Sequence, residues 1–167
     1  PTLLGQTDQY AALLPYWLGA WAIQLAPKGL PLDTAAQLPF IALLGLTLAA
    51  TWYAVYALAR TPAAQPVSFA FGGEAKPADY ARAIADGGLL ALLACLGLAR
   101  LSHEATPALA QLSFSALLFF ALANLARKRM TSLFCAALAI MGLALSGAPA
   151  LAMILGAGGA MVIALDT

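Results

Sequence analysis

Residues 35–60, AAQLPFIALLGLTLAATWYAVYALAR, carry no charge until Arg60. A helix of about 20 apolar residues is long enough to cross the hydrocarbon layer of a bilayer. Two more charge-free runs follow at 105–126 and 131–165, the second broken near residues 146–149. The chain is 63% hydrophobic and 9% charged, whereas about 25% of the residues in a soluble domain are charged. We therefore expect lipid to be the solvent of most of this chain.

These runs predict an all-α fold: a polytopic transmembrane helical bundle of about five spans plus one interfacial helix. The spans, called A to E, are expected at residues 36–59, 87–101, 107–125, 131–145 and 149–165. Segment 13–26 is apolar but short, and it carries Tyr16, Trp17 and Trp21. Such aromatic residues favour the bilayer–water interface, so this segment predicts an interfacial or re-entrant helix, with a full crossing as the alternative.

The polar segments divide the chain into two parts. Residues 1–34 are expected to form an external segment with the interfacial helix, and residues 35–167 a transmembrane domain with a cytoplasmic loop at 60–86. Proline and glycine indicate irregular structure in the first half of that loop, whereas residues 77–86 can form a short surface helix. Asp33 or Thr34 is expected to cap the helix of span A.

Basic residues indicate how the spans are oriented. If span A ends in the cytoplasm, only Lys28 and Arg100 lie outside, and six basic residues lie inside. The six are Arg60, Lys76, Arg82, Arg127, Lys128 and Arg129. This asymmetry follows the positive-inside rule and predicts a multi-pass protein of a bacterial-type inner membrane.

The expected external turn between spans B and C holds the strongest candidate for chemistry. His103 and Glu104 are adjacent there, close to Arg100. Ionisable groups near membrane depth are functional candidates, and a carboxylate beside an imidazole can act in general acid–base catalysis. The alternative is a solvated turn at the membrane surface.

Weaker candidates are expected on the same external face. Asp8, with Tyr10 nearby, either belongs to a site or is simply solvated. Lys28 either meets a lipid phosphate or is an ordinary snorkelling lysine.

The sequence offers little sign of metal, redox or nucleic-acid chemistry. Cys95 and Cys135 lie in apolar stretches and are expected to be small buried hydrophobes rather than disulfide or metal-site residues. No metal-ligand spacing is present, so neither a metal nor a cofactor is predicted. A net charge of +1 with one short basic run predicts no nucleic-acid partner.

Span E contains Gly156, Gly158 and Gly159. Small residues let helix backbones approach closely in lipid, so all three are expected to face a neighbouring helix. A phosphate-binding loop is the alternative, but no polar residues flank these glycines.

The order of the apolar motifs resembles the early part of polytopic membrane glycosyltransferases of the protein-mannosyltransferase and aminoarabinose-transferase type, which share the GT-C fold. The matching stretches, over roughly residues 1–126, are PTLLGQ, PYWLGAWAIQL, DTAAQLPFIALLGLTLAATWYAVYALAR and ARLSHEATPALAQLSFSALLFFAL. Gln37 stands where the family usually has arginine, and Glu104 lies one position from the usual acid. Residues 10–13 replace an acid, a basic residue and a Pro-Pro pair.

The resemblance implies that a sugar is transferred from a polyprenyl phosphate to an acceptor on the external face of the membrane. A pocket between segment 13–26 and the mouth of spans A to C would suit the lipid-phosphate donor. Glu104, His103 and Asp8 are the expected catalytic residues, and Lys28, Tyr10 and Arg100 the expected substrate-binding residues. The family's first helix and its catalytic loop acid would lie before residue 1, so we expect a partial or diverged member.

A second class of function stays open at this stage. The short length and the few polar groups inside the spans also suit a small non-catalytic subunit of a larger membrane complex, with other membrane subunits as partners. A small transporter is a third reading, but transporters usually place polar or charged groups near the bilayer midplane.

Overall fold

The computed structural model describes residues 2–3, 6–7, 12–66, 75–95 and 106–165. Within these ranges the chain is all-α, as predicted, apart from a two-residue antiparallel pairing of Thr2–Leu3 with Gln6–Thr7. A short 3-10 helix, Pro62–Ala64, follows α2. The α-helices are α1 Leu14–Leu25, α2 Leu32–Ala59, α3 Pro77–Leu93, α4 Pro107–Ala123, α5 Arg129–Leu145 and α6 Pro149–Leu165.

Five of these helices lie close to where the sequence predicts them. Helix α1 covers the interfacial segment, α2 covers span A and begins one turn earlier, and α4, α5 and α6 cover spans C, D and E. Pro77, Pro107 and Pro149 are the first residues of their helices. Proline suits this position because the first N–H groups of a helix have no intrahelical acceptor.

Two local predictions are wrong. Helix α3 runs without a break through Asp86 and Gly87 to Leu93, where a surface helix and a separate span were predicted. Glycine inside a helix costs only about 1 kcal/mol, too little to separate the two segments. Helix α2 begins after Pro31 with no side-chain cap, and Asp33 lies inside its first turn rather than at its cap.

Helix α4 is the centre of the bundle, in contact with α2, α5 and α6. Helix α2 also packs against α1 and α3, and α5 packs against α6. A hydrogen bond of 2.7 Å from the indole N–H of Trp52 to a carboxylate oxygen of Asp86 joins α2 to α3. The ring of Trp52 also stacks on that of Tyr56, with centroids 5.2 Å apart.

Contacts between side chains show the directions of α2, α4 and α5 relative to one another. Phe40 and Pro107 line the same cavity near the starts of α2 and α4, and further along Thr47 meets Ser113. These two helices are therefore parallel. Helix α5 is antiparallel to α4, because the side-chain amide of Gln111 donates a 2.8 Å bond to the carbonyl oxygen of Ser146, just beyond the end of α5.

This arrangement gives the bundle two distinct ends. One end holds the starts of α2 and α4, the cavity between them and the turn between α5 and α6, and we call it the groove end. The basic end holds the opposite ends of α2 and α4, and with them Arg60, Arg127, Lys128 and Arg129. These four are among the six basic residues that the sequence predicts on one side of the membrane; the side of Lys76 and Arg82, and the compartment that each end faces, stay predictions.

Small residues make up most of the buried apolar positions, and many large apolar side chains are exposed. Alanine accounts for 14 of the 22 buried apolar residues in the described ranges, and the buried polar residues there are serine and threonine. Large exposed side chains include Ile41 on α2, Phe134 on α5 and Ile154 on α6. Large apolar side chains such as those of Phe40, Leu109 and Phe114 also lie in the core, so large apolar residues are found both inside the bundle and on its surface.

The predicted glycine contacts of α6 are only partly right. A Cβ built on Gly156 would lie 3.5 Å from Ile140 Cδ1, and one built on Gly159 would lie 3.7 Å from Leu122. Both therefore face neighbouring helices, as predicted. The prediction for Gly158 is wrong: a Cβ there would have no atom within 4 Å among the described residues, because residues two apart lie on different sides of a helix.

Among the described residues, α2 is the one helix both long and apolar enough to cross a membrane. It has 28 residues. Helices α4, α5 and α6 are apolar and have 17 residues each.

Candidate functional site

A groove lies at the groove end of the bundle, where α1 packs against the N-terminal part of α2 and Pro107 begins α4. Its volume is about 350 Å³, within the range of small-molecule sites. The lining residues are Pro15, Tyr16, Gly19, Ala20 and Ile23 of α1, Ala36 and Phe40 of α2, and Pro107 of α4. We call this cavity the α1 groove.

A hydrogen bond ties the start of α1 to the rest of the bundle. The backbone N–H of Leu13 donates a 2.9 Å bond to the carbonyl oxygen of Leu145 at the end of α5. The next carbonyl, that of Ser146, accepts the bond from Gln111 on α4. The start of α1 is therefore tied to the α5–α6 turn, and that turn is tied to α4.

The lining of the α1 groove is almost entirely apolar. Phe40 and Pro15 are buried, while Tyr16 and Ile23 are partly exposed at its rim. A Cβ added at Gly19 would meet no described atom within 4 Å, so the small residues of α1 leave space rather than pack tightly. A cavity with this lining can hold a hydrocarbon chain but offers little to bind a sugar.

Lys28 supplies a positive charge in the turn that follows α1. It is exposed in the turn that links α1 to α2, the two helices that form most of the groove. The backbone N–H of Leu30 donates to the carbonyl oxygen of Pro27 at 3.2 Å across this turn. Gly29 has a φ of 117°, a left-handed conformation that favours glycine. The backbone of this turn is therefore ordered, and Lys28 is its one charged residue.

Thr106 supplies an unsatisfied polar atom next to the groove lining. It directly precedes Pro107, and its hydroxyl oxygen is buried with no hydrogen-bond partner in the part of the chain that the structure describes. Buried hydroxyls normally find a partner.

Most of the predicted site residues cannot be compared with the structure. Asp8, Tyr10, Arg100, His103 and Glu104 lie outside the described residues. Of the six predicted residues, only Lys28 is described. The two cysteines are unpaired, and Cys95 is exposed rather than buried as predicted. Across the described ranges, no three residues of the His, Cys, Asp and Glu types come together in a way that could hold a metal ion.

The resemblance implies a pocket between segment 13–26 and the mouth of spans A to C, lined by Asp8, Lys28, His103 and Glu104. The α1 groove lies between that segment and spans A and C, but Lys28, the one described residue of that set, is not among its lining residues. Gly19, Ala36 and Phe40 were missed because ordinary apolar residues carry no signal of their own. The Pro at the start of span C was the nearest available sign, since it fixes where α4 begins.

No family model, curated protein or solved structure matches this chain.

Proposed function

We propose that this chain belongs to a membrane glycosyltransferase that moves a sugar from a polyprenyl-phosphate donor to an acceptor on the external face of a bacterial inner membrane. The observation that carries the proposal is the α1 groove, an apolar cavity with a lysine in the adjoining turn. A polyprenyl phosphate has the matching chemistry: a long apolar chain that ends in an anionic phosphate. The motif order that resembles GT-C glycosyltransferases points to the same class of donor.

Packing within the bundle supports a multi-pass membrane placement. Lipid gives no hydrophobic gain for burying large apolar side chains, so membrane helices pack through small residues and expose large ones. The alanine-rich interior and the exposed Leu, Ile, Met and Phe side chains of α2, α5 and α6 follow that pattern. The 17-residue helices α4, α5 and α6 are about 25 Å long, close to the thickness of a thin hydrocarbon layer.

Charge supports the orientation that this function requires. The basic end carries Arg60, Arg127, Lys128 and Arg129, which favours the cytoplasmic side under the positive-inside rule. The α1 groove and Lys28 then open toward the external side. Helix α1 would lie in the interface there, with Trp17 and Trp21 stacked at 6.2 Å and both partly exposed.

The chemistry assigned to the site is a single displacement at the anomeric carbon. A base removes the proton of the acceptor hydroxyl, and that oxygen forms a new bond to the anomeric carbon. The bond from this carbon to the phosphate oxygen breaks, and polyprenyl phosphate leaves with the electron pair. Glu104, with His103 beside it, is the proposed base, and Lys28 is the proposed partner of the phosphate.

A photoreactive polyprenyl phosphate tests whether the α1 groove is the donor site. We expect cross-links in the peptides of α1 and in the first turns of α2 and α4. Gly19→Leu should block cross-linking, because it fills the groove without a clash at its Cβ. Gly45→Leu is the matched control: it places the same residue in α2, at an exposed position that is also free of contacts.

The opposite result would favour the other class of function. Cross-linking spread evenly over the bundle, or equal in the Gly19→Leu and Gly45→Leu variants, would contradict a donor site in the groove. Purification of the chain only as a stoichiometric part of a larger membrane complex, with no donor binding, would favour the non-catalytic subunit.

A further inference from the structure

We propose that the turn at residues 127–129 and the outer face of α5 bind one anionic phospholipid, with its phosphate at the turn and an acyl chain along the helix. The site lies at the basic end and is separate from the α1 groove. It rests on the membrane placement proposed above, but not on sugar transfer.

The turn between α4 and α5 holds three cations in a compact structure. The carbonyl oxygen of Asn124 accepts hydrogen bonds from the backbone N–H groups of Arg127 and Lys128, both at 3.0 Å. The side-chain amide of Asn124 donates a 3.0 Å bond back to the carbonyl oxygen of Phe120 on α4. Arg127, Lys128 and Arg129 are thus consecutive, exposed and attached to an ordered turn.

No ion pair involves these three cations in the described part of the chain. The ion pair found there joins Arg82 to Asp79 on α3 and involves none of the three. Helix α5 begins at Arg129 with neither a side-chain cap nor an acidic residue in its first turn, so its positive dipole end adds to the same field.

The face of α5 below the turn identifies the ligand as a lipid rather than a free anion. Met130, Phe134, Leu138 and Met141 are exposed by 83%, 70%, 39% and 56%. Their spacing places them in one stripe along the helix, which starts directly beside the basic turn. Clusters of Lys and Arg at the cytoplasmic ends of helices attract anionic lipid headgroups, and the stripe provides the apolar surface that an acyl chain needs.

Native mass spectrometry of the detergent-purified protein tests this site. We expect phosphatidylglycerol to bind more tightly than phosphatidylcholine with the same acyl chains, and inorganic phosphate not to displace it. A triple variant, Arg127→Gln with Lys128→Gln and Arg129→Gln, should weaken phosphatidylglycerol binding on the order of 100-fold, since each basic residue near the surface contributes about fivefold. Detergent solution removes any effect of these charges on membrane orientation.

Control variants distinguish loss of a local binding site from a general effect of net charge and from misfolding. Lys76→Gln combined with Arg82→Gln removes two exposed cations elsewhere and should leave the affinity unchanged. The charge-conserving pair Arg127→Lys and Arg129→Lys should also retain binding. If the triple variant does not fold, the wild-type protein still provides a test. Its affinity for phosphatidylglycerol must fall as the salt concentration rises, and an affinity independent of salt would contradict the proposal.

Equal binding of the two phospholipids, displacement by inorganic phosphate, or equal losses in the control variants would each overturn the proposal. None of these outcomes depends on sugar transfer. A failure here therefore leaves the proposed glycosyltransferase function untouched, and a failure of the donor cross-linking leaves this site untouched.

Discussion

The hydroxyl oxygens of Thr47 on α2 and Ser113 on α4 lie 2.8 Å apart, and both residues are fully buried. The Thr47 hydroxyl also donates to the carbonyl oxygen of Leu43 at 2.9 Å. The Ser113 hydroxyl lies 2.9 Å from that same oxygen and 2.8 Å from the carbonyl oxygen of Leu109 in its own helix, and its single proton can be donated to either. Two hydroxyls and one backbone carbonyl therefore join the two parallel helices whose starts line the α1 groove.

Removing the Ser113 hydroxyl should loosen this pairing. Ser113→Ala is expected to lower the free energy of unfolding in detergent by about 1 kcal/mol, the upper part of the range for hydrogen bonds between membrane helices. Ser115→Ala is the control, because the Ser115 hydroxyl bonds only within α4, to the carbonyl oxygen of Gln111 at 2.8 Å. Equal unfolding curves for the two variants would show that the inter-helix bond adds nothing.

Gly142 on α5 should tolerate no side chain. A Cβ there would overlap the ring of Phe114 on α4, and overpacking typically costs about 1–3 kcal/mol. Gly158→Ala is the matched comparison, since it makes the same change in a helix where a Cβ meets no described atom within 4 Å. Thermal unfolding should show Gly142→Ala clearly less stable than Gly158→Ala; the reverse order would contradict the packing of α4 on α5.

Sequence alone locates most of the helices, for identifiable physical reasons. Charge-free runs bounded by prolines and basic residues mark α2, α4, α5 and α6, because an apolar stretch of this length is typical of a helix and proline favours a helix start. The sequence does not predict that α3 is continuous from Pro77 to Leu93, because Gly87 and Gly88 suggest a break. Instead, Gly88 packs against Val55, with its would-be Cβ 3.4 Å from Val55 Cγ2.

Side-chain contacts between helices are harder to predict than helix positions. The close approach at Gly142 went unnoticed because a single glycine does not reveal its partner Phe114. Gly158 was assigned to an interface on composition, although its spacing from Gly156 already places it on another face. The same holds for the candidate site. Lys28 can be picked out from the sequence by its charge, whereas the role of Gly19 depends on how α1 packs against α2 to form the groove.

The two ends of the bundle should face opposite compartments. In a variant with Cys95 and Cys135 replaced by serine, we expect a membrane-impermeant thiol reagent added to intact cells to label Lys28→Cys and not Lys128→Cys. Permeabilised cells should label both positions, which controls for reactivity. External labelling of position 128 with protection of position 28 would reverse the orientation and place the α1 groove on the cytoplasmic side.

Glu104→Gln should separate catalysis from folding. The change keeps the size of the side chain and removes its charge. A surface-type exchange alters stability by no more than about 0.5 kcal/mol, whereas loss of an acid–base group lowers the rate about 100-fold or more. The rate of sugar transfer and the unfolding temperature, measured on the same preparation, check both statements. Unchanged transfer would remove Glu104 from the proposed site.

The most direct test of the account is sugar transfer by the native polypeptide that carries this sequence, assayed with a radiolabelled polyprenyl-phosphate sugar. We predict transfer to an acceptor by the unaltered protein, loss of transfer in Gly19→Leu, and near-normal transfer in Gly45→Leu, which makes the same change outside the groove. Absence of transfer by the unaltered protein, or equal activity in the two variants, would contradict the claim that the α1 groove serves a lipid-linked sugar donor.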